Sequence, residues 1–311
     1  MSTASATGKL RVALLQSLGV PSDVGRTLKR LEGAAGEAAA AGADLLVTPE
    51  LFLGGYVNDV RSCAAEIASG GSSAGRVNEI AAGNKIAVAI GYPELDETGK
   101  KRPDGDPVVY NSVRLIDSTG SSLANYRKTH LFGDFEKNHF EAGTNLVVQA
   151  DLNGLKLGFL ICYDVEFPET VRAHAIADTD LLVAPTATMD PYAFSLDHLV
   201  LTRAYENNMY IAYANRIGKE HPNEGELEYV GRSTLAAPDG TALARAGRGG
   251  RDKVSSGRSE ELVFGDYDEL IFGTVDRNFL KASRGNNPYR RERNPKLYGA
   301  LSADDPNKDR L

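Results

Sequence analysis

Apolar positions along the chain fall into short runs separated by stretches of helical spacing. Residues 10–16 (LRVALLQ) carry one charge among five apolar side chains and read as a strand buried on both faces. Asp23 then precedes an Ala-rich stretch to Ala41, in which Val24, Leu28 and Leu31 recur at helical spacing, so Asp23 is the expected N-cap. Residues 45–48 form the next strand and stop at Pro49; 75–84 read as helix and 86–92 as strand. From Val108 the pattern becomes hairpin-like: strands over 110–117 and 123–127 flank a Ser-Thr-Gly turn. Strand 155–162, helix 168–177 and strand 181–184, ended by Pro185, follow. A helix over 195–208 is expected to have Ser195 as its cap and Leu199 and Tyr205 among its apolar positions. Strand 210–215, a hairpin over 231–237 and 243–246 around Pro238-Asp-Gly240, and a late strand over 270–276 complete the series.

This mixture of βα units and hairpins implies two mixed sheets with helices outside, an α/β architecture other than an all-parallel doubly wound sheet. No repeat and no linker divides it. The expected organisation is a disordered tail over 1–8, one domain over 9–284, and a tail over 285–311, rich in Asn, Pro and Arg, packed on the surface or on a partner subunit. Residues 219–228 and 247–260 read as polar surface insertions.

Composition narrows the function. Lys and Arg number 35 against 42 Asp and Glu, a net charge of -7, which argues against binding a nucleic-acid backbone. No run approaches the roughly 18 apolar residues of a membrane span. Residues 1–8 lack a charged segment followed by an apolar one and read as a tail, not a secretory leader. The only cysteines, Cys63 and Cys162, exclude a disulfide scaffold and fit a cytoplasmic protein; Cys63 lies in ordinary helical sequence.

Three reactive residues stand where strands are expected to stop: Glu50 after Pro49, Lys128 after 123–127, and Cys162 after 158–161. Ligand sites in α/β proteins gather beyond strand ends. A thiol needs a base or a cation to become a good nucleophile, a carboxylate can take its proton, and an ammonium can hold an oxyanion. Each has a plainer reading: a small core residue for Cys162, a helix-start charge for Glu50, a solvated charge for Lys128.

The surrounding sequences, PELFLGGY (49–56), YRKTHLFG (126–133) and ICYDVEFPE (161–169), closely resemble the three motifs of the nitrilase, or carbon–nitrogen hydrolase, superfamily in order and separation. Segments 110–112, 140–143, 203–207 and 213–215 agree, so the resemblance spans about residues 10–276. It implies a four-layer αββα sandwich of the nitrilase type, paired into a homodimer or higher homo-oligomer, with no cofactor and no metal. The five histidines, at 130, 139, 174, 198 and 221, show no metal-ligand spacing. It assigns Glu50 as general base, Lys128 as oxyanion stabiliser, Cys162 as nucleophile and Glu136 as the second glutamate that holds the substrate and Lys128. The Tyr163 amide would join Lys128 at the oxyanion, and Tyr56 closes the first motif as a substrate-side residue.

Within the superfamily, the three motifs together with 185–192 and 228–231 look most like bacterial ω-amino-amide hydrolases such as 5-aminopentanamidase. The implied reaction is hydrolysis of a linear small-molecule amide to acid and ammonia through a cysteine thioester. N-carbamoyl-amine hydrolysis or nitrile hydrolysis are the alternatives within the family. Members acting on N-carbamoyl amino acids carry an arginine four residues after the nucleophile for the substrate carboxylate; here that position is Glu166. The reversed charge suits an ammonium or guanidinium tail, with Asp190 a second carboxylate for it. The plainer reading pairs Glu166 with Arg172, and the acidic stretch 224–228 reads first as a solvated loop. A Cys162–His130 protease-like pair and an inactive binding scaffold are the remaining alternatives.

Overall fold

The computed structural model describes residues 8–222, 225–248, 261–264 and 268–303. Its strands are β1 (Lys9–Gln16), β2 (Leu45–Val47), β3 (Ala87–Leu95), β4 (Val109–Ile116), β5 (Ser122–Arg127), β6 (Gln149–Leu152), β7 (Leu155–Phe159), β8 (Leu181–Thr186), β9 (Tyr210–Asn215), β10 (Ile217–Glu220), β11 (Leu227–Val230), β12 (Thr234–Ala236), β13 (Ala242–Arg245), β14 (Glu261–Phe264) and β15 (Asp268–Asp276). Its helices are α1 (Val24–Ala40), α2 (Val60–Ile67), α3 (Arg76–Asn84), α4 (Gly133–His139), α5 (Pro168–Ile176), α6 (Val200–Asn207) and α7 (Arg277–Asn286).

Seven strands form one mixed sheet, in the order β14-β15-β1-β2-β3-β4-β5, and six form a second, β13-β12-β9-β8-β7-β6. The period of two explains why their central strands are apolar throughout. In β1, Leu10, Val12 and Leu14 face the second sheet, whereas Ala13 and Leu15 face the helices. Leu45 and Val47 of β2, and Ala87 and Ala89 of β3, point inward the same way, while Leu46, Val88 and Ile90 point outward. α1, α2 and α3 cover the outer face of the first sheet, and α5 and α6 cover the second. The result is the four-layer αββα sandwich, and Asp23 caps α1 through Arg26 N as expected.

Several local readings are corrected. β7 stops at Phe159, and Cys162 opens a one-turn 3-10 helix, Cys162–Glu166. β8 runs through Pro185. Val183 accepts from Leu160 N on the β7 side, so two residues later the missing Pro185 N–H faces that same side, where β7 has already ended. Ser195 is no cap: Phe194 is already helical, a π turn covers Ser195–Leu199, and the Ser195 hydroxyl donates to Tyr192 O. Tyr205 is exposed, with its ring edge-on to Tyr289.

The stretch 219–228 is not simply a surface insertion. It holds most of the β10–β11 hairpin, whose Glu220 is buried, as is Tyr229 just beyond it. Of the other expected insertion, residues 249–260 lie outside the described residues, as do 1–7 of the N-terminal tail. Of the C-terminal tail, residues 304–311 also lie outside the described residues; before them Arg290 pairs with Asp178 in the loop after α5 and Tyr289 meets Tyr205 of α6, while Arg284 of α7 donates to Asp180 and to Thr179 O.

Candidate active site

Three chain turns bring the expected residues together between the sheets. Glu50 follows β2 in a turn pressed against β3, where a Cβ on Gly91 would meet Pro49 O at 2.2 Å. Only glycine permits that approach. The next residue, Leu51, has a left-handed φ of 45°, and Glu50 N donates across to Thr186 O of the second sheet. Lys128 follows β5, its backbone fixed by Lys128 N to Asn111 O and Gly143 N to Lys128 O, both 2.8 Å. Cys162 follows β7 with a left-handed φ of 46°, a strained state for a side chain with a Cβ. Asp164 holds that turn: its carboxylate accepts from Ile161 N, His130 N, Thr129 Oγ1 and Tyr126 OH at 2.8–3.0 Å.

At the centre, Lys128 is wholly buried and donates to Glu50 Oε1 and Glu136 Oε1, each at 2.7 Å. Asn111 Nδ2 also donates to Glu50 Oε1, at 2.7 Å. Glu136, on α4, further accepts from Tyr56 OH at 2.6 Å and Phe132 N at 2.7 Å. Glu50 Oε2 is buried and has no hydrogen-bond partner among the described residues. One carboxylate oxygen is thus fixed by two donors and its twin is left as an acceptor.

Burial works against the Lys128 charge, but Glu136, Glu50 and Cys162 together hold its pKa well above the ordinary value. Burial pushes the Glu136 carboxyl up to about 7, against the pull of Lys128. Burial also pushes the Cys162 thiol up to about 12; Glu50 adds to the rise, and Lys128 and a hydrogen bond with the Thr186 side chain oppose it. The thiol therefore keeps its proton at neutral pH, and attack requires a base in the same step. Cys63 is likewise pushed to about 12 by burial, but its charged neighbours, Asp59 and Glu66, are both acidic. What separates the cysteines is the ammonium and fixed carboxylate beside Cys162, not acidity.

Tyr56 is buried behind Glu136, its ring against Phe135 and Tyr229, so it supports the carboxylate. Tyr163 is half-buried, and its amide, in the first turn of the 3-10 helix, has no partner within that helix. Its ring joins a run of aromatics: Phe167 at 4.9 Å, Phe132 at 5.2 Å and, beyond Phe132, Tyr192 at 5.4 Å. Glu166 closes the same turn, half-buried, within electrostatic reach of Lys128. Burial raises its carboxyl, and it forms no ion pair among the described residues. The expected alternative partner, Arg172, instead feels Glu206. Arg203 holds the Glu166 backbone, donating to Val165 O and Glu166 O at 3.1 and 2.8 Å. Asp190 is exposed, with its N–H on Glu228 O and Tyr192 two residues on. His130 is bonded to Asp164 at 2.9 Å and stacked on Phe167, not paired with Cys162.

Sequence reasoning gave no role to Asn111, Thr186, Asp164 or Arg216. Asn111, Asp164 and Thr186 lie inside segments already quoted. Arg216, a charge directly after an apolar strand, was the available signal for the fourth.

The family model for carbon-nitrogen hydrolase matches residues 11–276. A protein described as a hydrolase in the pqqF 5′ region of Pseudomonas protegens is 42% identical over 94% of this chain and 92% of its own. An N-carbamoylputrescine amidase of Arabidopsis thaliana is 26% identical over 96% of this chain and 98% of its own. Among solved structures, a variant of the amidase from Nesterenkonia sp. AN1, with the acetamide moiety of fluoroacetamide added covalently at its active-site cysteine, superimposes with a TM-score of 0.73. It is 28% identical, covering 96% of this chain and 98% of that one.

Proposed function

This chain belongs to the carbon–nitrogen hydrolase family and hydrolyses amides; within that class we propose that it cleaves a linear small-molecule amide with a cationic amino or guanidino tail, giving the acid and ammonia. The observation that carries the reaction is Lys128 held between Glu50 and Glu136, beside a thiol that keeps its own proton.

In the proposed sequence, the substrate carbonyl carbon lies beside Cys162 Sγ. As sulfur attacks, Glu50 takes the thiol proton on Oε2. The tetrahedral oxyanion is held by the Lys128 ammonium and the Tyr163 N–H. Collapse breaks the C–N bond, Glu50 returns its proton to the departing nitrogen, and ammonia leaves a thioester on Cys162. A water deprotonated by Glu50 then attacks that thioester. Collapse releases the carboxylic acid and the proton returns to sulfur. Glu136 and Asn111 fix the geometry: Glu136 anchors the ammonium, and Asn111 occupies the Glu50 oxygen that takes no part.

Support for the cationic tail comes from Glu166, a half-buried carboxylate with no ion pair among the described residues, in the same turn as Tyr163, whose ring leads through Phe167 and Phe132 to Tyr192. Asp190 would meet the tail farther out. Carboxylates and aromatic faces both attract an alkylammonium. The similarity to an N-carbamoylputrescine amidase, whose name denotes an amine-bearing carbamoyl substrate, fits that tail and carries the second reading, N-carbamoyl-amine hydrolysis. A homodimer working in the cytoplasm without cofactor completes the proposal. Exposed Ile176 at the end of α5, Tyr205 on α6, and Leu297 and Leu301 in the C-terminal segment support self-association.

The test is a panel of linear amides with cationic, neutral and anionic tails, scored for ammonia and carbon dioxide. Cationic amides turned over at least tenfold better in kcat/KM, with ammonia alone, is the expected result. Equal turnover of neutral tails would remove the cationic reading, and carbon dioxide release from carbamoyl substrates would favour the second.

A further inference from the structure

The largest wholly buried side chain in the described structure is that of Arg216. It sits between β9 and β10 and spans the back of the site. Its Nη1 donates to Glu50 O at 3.0 Å and to Leu51 O at 2.9 Å. Its Nη2 donates to Leu18 O at 2.7 Å and to Glu220 Oε1 at 2.6 Å. Tyr229 lies under the guanidinium, 5.2 Å from ring centroid to Cζ. Glu220, also buried, uses its other oxygen to accept from Tyr229 OH at 2.5 Å and from Tyr56 N at 3.4 Å. Tyr56 OH in turn donates to Glu136 Oε1, the oxygen that also receives Lys128.

We propose that the Arg216–Glu220 pair is a positioning unit for the reaction, holding Glu50 by its backbone and Glu136 through Tyr56, so that both carboxylates on Lys128 are set from one ion pair. Three observations converge on it. First, Arg216 grips the carbonyls of Glu50 and Leu51, the two that flank the Leu51 Cα, and Leu51 occupies a left-handed conformation that a leucine does not favour on its own. A strained residue persists only where its surroundings over-determine it. Second, a buried ion pair is a weak source of stability, because desolvation consumes its attraction. A pair with two hydrogen-bonded branches toward one site is better explained by geometry. Third, residue 55 is glycine, and a Cβ there would lie 2.3 Å from Glu220 Oε1. That leaves the space in which Glu220 reaches the Tyr56 amide.

Arg216 and Glu220 touch no reacting atom. They act through Glu50 and Glu136, and the inference rests on the roles proposed for those two. Loss of a positioning group is expected to lower kcat and kcat/KM together while KM holds, since ground-state substrate contacts are intact.

The experiment measures kcat and KM for an accepted amide in Glu220→Gln and Tyr229→Phe, with folding checked by thermal unfolding and Glu50→Gln as reference. Glu220→Gln keeps the shape but removes the charge; Tyr229→Phe leaves the ion pair and removes the shorter of the two hydrogen bonds to the other Glu220 oxygen. In folded protein, Glu220→Gln is expected to lower kcat tenfold or more with KM within twofold, and Tyr229→Phe about threefold in the same pattern. Wild-type kcat in folded Glu220→Gln overturns the inference. So does wild-type kcat in Tyr229→Phe, should Glu220→Gln fail to fold. A rise in KM alone overturns it as well. If Glu50→Gln itself were fully active, the underlying reading would fall instead, and the two failures are told apart.

Discussion

Glu50 and Glu136 reach the same ammonium from different parts of the chain: each places its Oε1 2.7 Å from Lys128 Nζ, with all three side chains buried. The two carboxylates hold the Lys128 ammonium charged, while burial, with Glu50 adding to it, keeps the Cys162 thiol protonated. Such groups act as a unit. Glu50→Gln and Lys128→Ala are each expected to lower kcat by about a thousandfold or more, and the double variant to lose little beyond the worse single one. Additive losses in the double variant would show that the two groups work independently.

Lys128→Ala also leaves two carboxylates buried without their cation. A stability loss of about 3–5 kcal/mol is expected, measurable by denaturant titration at neutral pH. The second substitution, Glu136→Gln, removes one of those charges and should recover part of it.

Glu136 sets a further pH signature. Burial holds its carboxyl at about 7, so it gains a proton as pH falls through that value and its hold on Lys128 weakens. Activity should decline on the acid side of neutrality. Glu136→Gln, neutral at every pH, should be slower at pH 8 and should lack that decline between pH 8 and 6. A decline of unchanged size would assign it to another group.

Glu166→Gln separates binding from support. The charge-assisted contact predicts a KM rise of roughly 1.5–3 kcal/mol, about ten- to a hundredfold, for a cationic amide and little change for a neutral one of equal length. Equal effects on both would make Glu166 a structural residue of its turn.

The parts of the fold legible in the sequence are those where one strand satisfies both neighbours. β1, β2 and β3 are apolar on both faces because a sheet lies on one side and helices on the other. Glu50, Lys128 and Cys162 stand out because each is a reactive group at the end of such a run. The extent of β7 was hidden because residues 160 and 161 are as apolar as the strand itself, although they belong to the approach to the Cys162 turn. Pro185 reads as a stop unless the early end of β7 is known. The polarity of 219–228 conceals its role for a similar reason. Glu220 looks solvated until Arg216, itself opposite carbonyls of residues 18, 50 and 51, is placed beside it. Arg216 and Glu220 stand only four residues apart, but the carbonyls that receive Arg216 lie 165 to 198 residues away in sequence, and local periodicity holds no record of them.

The central claim is that amide hydrolysis runs through Cys162. Its most direct measurement is ammonia release from an accepted amide by purified Cys162→Ala, with Cys63→Ala beside it as the second cysteine's control. The account predicts loss of at least about a thousandfold in rate for Cys162→Ala in folded protein and a near-normal rate for Cys63→Ala. Ammonia release by folded Cys162→Ala within tenfold of the wild-type rate would contradict it.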